Sequence, residues 1–194
     1  FTRGAAICRT SCHYHSRYFF IPMKTYLEIK VPIYYSAPWF SELRKALKDM
    51  PVLWQKGFYH ITLAFIDDTQ HLSDVEAIMH KYLDHAHPVN ITFDKLDVFT
   101  AGNGMQIVYL GTNNIPEGFQ TLVENIRRDI SCTHSSIQSD FKLHVTLGRI
   151  TEPEADIDDV GFLIDEIDFK PFSLTLNEVE YRVFRGRSIY KTTL

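Results

Sequence analysis

The chain has 194 residues, 45% of them hydrophobic, with 14 Phe and 10 Tyr, which suits one well-cored globular domain and excludes a disordered chain. A net charge of −4 argues against a protein that coats extended DNA or RNA, which needs a basic face, and leaves short nucleotides with few phosphates as ligands. No apolar run reaches the roughly 18 residues of a membrane helix, and Cys8, Cys12 and Cys132 make no disulfide framework, so a cytoplasmic protein is expected.

Residues 1–22 read as foreign to the rest. They carry Arg3, Arg9 and Arg17 and no acid, whereas Met23 opens a strand-like run, KTYLEIKVPIYY. We expect 1–22 to be an extension outside the fold; the alternative is a mitochondrial presequence, basic and acid-poor. Cys8, Cys12, His13 and His15 cluster there at metal-like density, but a leader supplies no supporting shell, and no metal is expected.

After Met23, residues 25–34 read as a strand from their β-branched and aromatic content. Trp39, Phe40, Leu43, Leu47 and Met50 form a helical stripe closed by Pro51. A strand follows at 57–66, and then a helix opened by a capping box from Ser73 to Glu76. Residues 89–99 and 105–111 read as a hairpin around the AGNG turn. Pro116 starts a helix with a Phe119, Leu122, Val123, Ile126 and Ile130 stripe, and a strand follows at 140–150. The acidic stretch 152–168 holds a short helix at best. Strands at 172–184 and 188–194 flank a turn at Arg185–Gly186.

The two halves share this order, and His60-Ile61-Thr62-Leu63 is echoed 84 residues on by His144-Val145-Thr146-Leu147. The fold expected is α+β: duplicated β-α-β-α-β units over 23–194, with antiparallel-rich sheets around a central cleft and pseudo-twofold symmetry. The lobes span about 23–104 and 105–194, and strands can be exchanged between them. A monomer is expected.

Alternation puts each motif's His and Thr on one strand face and its apolar residues on the other. Brought together across a cleft, the motifs supply two imidazoles, one to accept a proton and one to donate it at neutral pH. Two hydroxyls can bind non-bridging phosphate oxygens. That is equipment for in-line displacement at a phosphodiester without a metal. Arg149 is a phosphate-binding candidate, yet strict alternation sends it to the apolar face, so the strand must bend or end there. Phe58, on the face of His60, and Tyr109 and Tyr181 are base-stacking candidates against the plainer reading of core or surface. His80, His85 and His87 sit at a helix end and loop, where a charged imidazole suits the helix dipole; His71 and His134 read as loop residues.

The segments FYHITLAF and KLHVTLGR, with the closing GRSIYKTTL, resemble the motifs of the two-histidine (2H) phosphoesterase superfamily. Within it they resemble the branch of RNA 2′,3′-cyclic phosphodiesterases, also called 2′-5′ RNA ligases. The resemblance covers about residues 25–194. It implies His60 and His144 as the acid/base pair, Thr62 and Thr146 as phosphate binders, no cofactor, and RNA ends or small nucleotides bearing a cyclic phosphate as substrates. It also implies ring opening to a 2′-phosphate, with 2′-5′ ligation in reverse. The alternative is a nucleotide-binding module that keeps the fold without turnover.

Overall fold

The computed structural model describes residues 23–34, 37–69, 72–133, 136–137, 140–151 and 156–194; the leader, with its Cys and His cluster, and His71 and His134 lie outside these. The first half runs β1 (Met23–Val31), α1 (Pro38–Ala46), β2 (Val52–Trp54), β3 (Tyr59–Thr69), α2 (Leu72–Leu83), β4 (Val89–Phe93) and β5 (Lys95–Thr100). The second runs β6 (Gln106–Gly111), α3 (Glu117–Ser131), β7 (Ser136–Ile137), β8 (His144–Ile150), α4 (Ile157–Asp165), β9 (Phe172–Leu176) and β10 (Glu178–Val183), and β11 (Ser188–Thr193) closes the chain. The protein is α+β and antiparallel.

The strand order is β11-β10-β1-β3-β8-β6-β5, with β2 added to β8 and β7 to β3. The order is symmetric about the β3/β8 junction: β1 matches β6, β2 matches β7 and β5 matches β10. The last strand of each half joins the other's set, since β10 pairs with β1 and β5 with β6. The half-sheets are therefore one sheet, joined where β3 and β8 pair at Ile61↔Val145.

Helices cover one face, α1 against α4 and α2 against α3. Leu27, Ile29, Ile61, Leu63, Val145 and Leu147 point into that core and are 0–1% exposed. A fully buried side chain of this size contributes about 1.5–3 kcal/mol, so these alternating positions fix which face of each strand meets the helices and leave the other face for the site.

Two expected runs divide. Residues 89–99 split at Asp94 and residues 172–184 at Asn177, so that β4 and β9 leave the large sheet and pair with each other. The acidic stretch forms α4, capped where the Asp156 side chain accepts from the Asp158 N–H and anchored by Val160 and Ile164. Ser73 is not a cap, because α2 already begins at Leu72. No helix of the described residues is long and apolar enough to cross a membrane.

Candidate active site

The junction of the half-sheets builds the site. With Ile61 opposite Val145, antiparallel register sets His60 beside Thr146 and Thr62 beside His144, all four on the face away from the helices. The histidines form a diagonal pair, and in a regular ladder such pairs lie roughly 7–8 Å apart.

Both strands then bulge at the same point of the motif. On β3 the pairing with β1 jumps from Glu28↔Thr62 to Leu27↔Ala64, and on β8 the pairing with β6 jumps from Tyr109↔Thr146 to Val108↔Gly148. Leu63 and Leu147 are the extra residues, and each is followed by a second inward residue, Ala64 or Gly148. Each strand thus resumes its alternation one step out of phase. Phe65 and Arg149 thereby return to the face of the histidines, and Arg149 joins the site that strict alternation denied it. Its Nη1 donates to Gln55 Oε1 at 3.1 Å, and the Gln55 N–H donates to the Leu147 carbonyl at 2.8 Å, so the residue that follows β2 braces it.

The two imidazoles sit in different surroundings. His144 Nδ1 bonds the Lys142 carbonyl at 2.9 Å, which in the neutral ring makes Nδ1 the donor and leaves Nε2 as the acceptor. Burial lowers its pKa, opposed by that carbonyl and assisted by the charges of Lys142 and Arg149. His60 is pushed down to about 4, by burial first and then by Arg149, with smaller effects of His144 and Arg182. The Phe58 carbonyl lies on its Nδ1 side, near enough to raise the pKa but not aligned as a hydrogen bond. Nε2 of His60 instead faces Glu28 Oε2 at 3.8 Å.

The flanking strands differ too. Beside His60 stand Tyr26, Glu28 and Lys30 of β1 and Glu180 and Arg182 of β10; Lys30 is ion-paired with Glu178. Beside His144, Lys142 Nζ lies 3.9 Å from the centre of the Phe99 ring and 4.9 Å from that of Tyr109. A cavity of about 350 Å³ opens against His144 and Thr62, walled by Phe65, Phe99, Phe141, Arg127 and Lys142, with Asp140 at its side.

The base-stacking candidates separate. Phe58 is 43% exposed and its ring centre is 5.8 Å from that of His60. Tyr109 is 3% exposed and its hydroxyl donates to Asp97; β6 is buried on both faces, so this ring is wall and not platform. Tyr181 is fully buried on the core face with its hydroxyl on Thr25 Oγ1, where no base reaches it. Sequence reasoning passed over Glu28, Arg182, Lys142 and Phe99. The signal for Glu28 was present, since Tyr26, Glu28 and Lys30 alternate with the core residues Leu27, Ile29 and Val31. Among the described residues, no group of three His, Cys, Asp or Glu side chains has metal-holding geometry.

The family model of the 2′-5′ RNA ligase superfamily matches residues 36–187, most of the chain. No curated protein matches. Solved structures share the fold at low identity. Usb1 of Kluyveromyces marxianus aligns at 12% identity with a TM-score of 0.62, covering 89% of this chain and 99% of that one. The protein TT0787 of Thermus thermophilus aligns at 17% and 0.61, covering 89% and 98%. E. coli LigT complexed with NADP+ aligns at 18% and 0.54, covering 89% and 95%. A family model spanning both histidine motifs, on a fold whose symmetry sets those motifs side by side, leaves one conclusion: the chain belongs to the 2′-5′ RNA ligase superfamily of two-histidine phosphoesterases.

Proposed function

We propose that this protein opens 2′,3′-cyclic phosphates of RNA ends or small nucleotides to 2′-phosphates without a metal, and that it forms 2′-5′ linkages when a 5′-hydroxyl replaces water as the nucleophile. The observation that carries the reading is the placement of His60, Thr62, His144 and Thr146 on one face around the Ile61–Val145 pair. One imidazole takes the proton of the attacking water or hydroxyl, the other protonates the departing ribose oxygen, and the two threonine hydroxyls donate to the non-bridging oxygens. Arg149 supplies positive charge to a group that becomes more anionic as the nucleophile adds.

A nucleotide end has somewhere to lie. The cavity against His144 offers aromatic walls for a base and Arg127 and Lys142 for a neighbouring phosphate, and Phe58 offers a second exposed ring beside His60. E. coli LigT, of the same fold, has been solved with 3′-AMP and with NADP+, which supports a nucleotide ligand here. Both motifs come from one chain, so a monomer suffices. The deciding experiment is turnover of nucleoside 2′,3′-cyclic phosphates with and without EDTA. Hydrolysis that persists in EDTA is the expected result; tight binding of the nucleotide with no turnover would make the protein a binding module instead.

A further inference from the structure

The half-site on β3 contains a group that its counterpart on β8 lacks. Glu28 is fully buried, and neither of its carboxyl oxygens has a hydrogen-bond partner among the described residues. Strand register sets it opposite Thr62 on one side and Glu180 on the other. Its Oε2 lies 3.8 Å from His60 Nε2 and its Oε1 3.9 Å from Arg182 Nη1. The matching position beside His144 is Tyr109, whose hydroxyl is turned to Asp97.

We propose that Glu28 is a positioning residue that acts through His60: the two side chains hold one proton between them, which makes the β3 histidine the acid and the β8 histidine the base. The inference rests on the phosphodiesterase reading above. An ionised carboxylate without hydrogen bonds is costly in such a place. Of the groups facing Glu28, Arg182 and Lys30 favour its charged form and Glu180 opposes it. Lys30 is itself held by Glu178, and Tyr26 stands by on the same strand. Burial outweighs them and raises the carboxyl to about 7, while His60 falls to about 4, so a proton entering the pair rests on Glu28 until the phosphate draws it across. His144, with Nδ1 committed to the Lys142 carbonyl, presents a bare Nε2.

In the hydrolytic step the water oxygen bonds to phosphorus and its proton goes to Nε2 of His144. The bond from phosphorus to the ribose O3′ breaks, and O3′ takes the proton from Nε2 of His60. Glu28 supplies that proton to the ring and regains one from solvent, while His144 returns its own.

The test compares Glu28→Gln with wild type on two substrates across pH. One is a nucleoside 2′,3′-cyclic phosphate; the other is a nucleoside 4-nitrophenyl phosphodiester, whose leaving group departs without a proton. On the cyclic substrate the variant should lose about 10- to 100-fold in kcat/KM near neutrality. Its alkaline limb should move to lower pH, because the acid is then His60 alone. On the nitrophenyl ester the losses of Glu28→Gln and His60→Ala should each be at least about tenfold smaller, whereas His144→Ala should lose as much on both. Equal losses on both substrates with an unmoved limb would reduce Glu28 to a structural residue and overturn the proposal. Infrared difference spectra of the wild type read the carboxyl whether or not the variant folds. A protonated-carboxyl band that persists to neutral pH supports the shared proton; a carboxylate already ionised at about pH 5 overturns it. Absence of wild-type turnover on either substrate would instead defeat the phosphodiesterase reading.

Discussion

Ile61 on β3 pairs with Val145 on β8, and this pair sets the two histidines and two threonines around one point. Both residues are fully buried, so the core fixes the register, and the register fixes the site. A slip of one residue would turn the His and Thr of the slipped strand into the helices and break up the group of four.

His60→Ala and His144→Ala should each lower turnover of a 2′,3′-cyclic phosphate by about 100-fold or more while the protein stays folded. Thr62→Ala and Thr146→Ala should lose less, on the order of 10- to 100-fold each, because each removes one hydrogen bond of about 1.5–3 kcal/mol to a charged group. Near-wild-type rates in either histidine variant, with unchanged circular dichroism, would remove the acid/base pair.

The strands bearing these residues were readable from period-two alternation and the helices from their stripes, because both rest on local spacing. What local spacing does not carry is which partner a strand takes. The run from Val89 to Phe99 changes phase at Asp94–Lys95, and the matching run does so at Asn177–Glu178, so the spacing marks both breaks; that the two outer pieces, β4 and β9, then pair with each other in a separate sheet is long-range. β2 and β7, of three and two residues, are too short to show a period and exist by pairing with distant strands. Arg149 is the instructive case. Alternation sends it to the apolar face, which requires a bend or an end of the strand there; the strand in fact bulges two residues earlier, at Leu147, and runs on to Ile150. Local spacing left Tyr109 and Tyr181 open between core and base platform, because burial on both faces of β6, and the pairing of β10 with β1, are long-range facts.

Product identity tests the orientation of the substrate. Phosphorus NMR of the products from a nucleoside 2′,3′-cyclic phosphate should show the 2′-phosphate, with O3′ leaving toward His60. A 3′-phosphate as main product would place the ribose the other way round between the two imidazoles. With an abundant 5′-hydroxyl the same variants that abolish hydrolysis should abolish 2′-5′ ligation, since the hydroxyl replaces water as nucleophile and the same two proton transfers follow.

Arg149 lowers the pKa of both imidazoles. The base must be neutral, so kcat/KM falls as pH drops through its pKa, and that acidic limb lies below the ordinary imidazole value. Arg149→Gln should move the limb to higher pH and should also raise KM through the lost phosphate contact. An unmoved limb would place the guanidinium charge away from the reacting centre.

Gly148 lies where β2 crosses β8, opposite Trp54. A Cβ there would stand 2.6 Å from Val52 Cγ1 and 3.1 Å from Trp54 Cε3, too close for either to remain in place. Gly148→Ala should therefore destabilise the fold by about 1–3 kcal/mol, read as a lower Tm. Because Gln55, the brace of Arg149, directly follows β2, activity should fall as well. Wild-type stability in this variant would show that β2 is free to yield.

The burial of Glu28 has a consequence for stability that is separate from its role in catalysis. Its folded pKa is raised from 4.5 to about 7, so the folded protein holds this proton more tightly than the unfolded chain does. The contribution is fully present below pH 4.5 and is lost as pH rises through 7, which amounts to a penalty of up to about 3 kcal/mol in mildly alkaline solution. Glu28→Gln keeps the shape and removes the charge. It should match wild type in denaturant unfolding at about pH 4 and exceed it by up to about 3 kcal/mol at about pH 8. A variant less stable than wild type at alkaline pH would mean that the carboxylate is held, and stabilised, by Arg182.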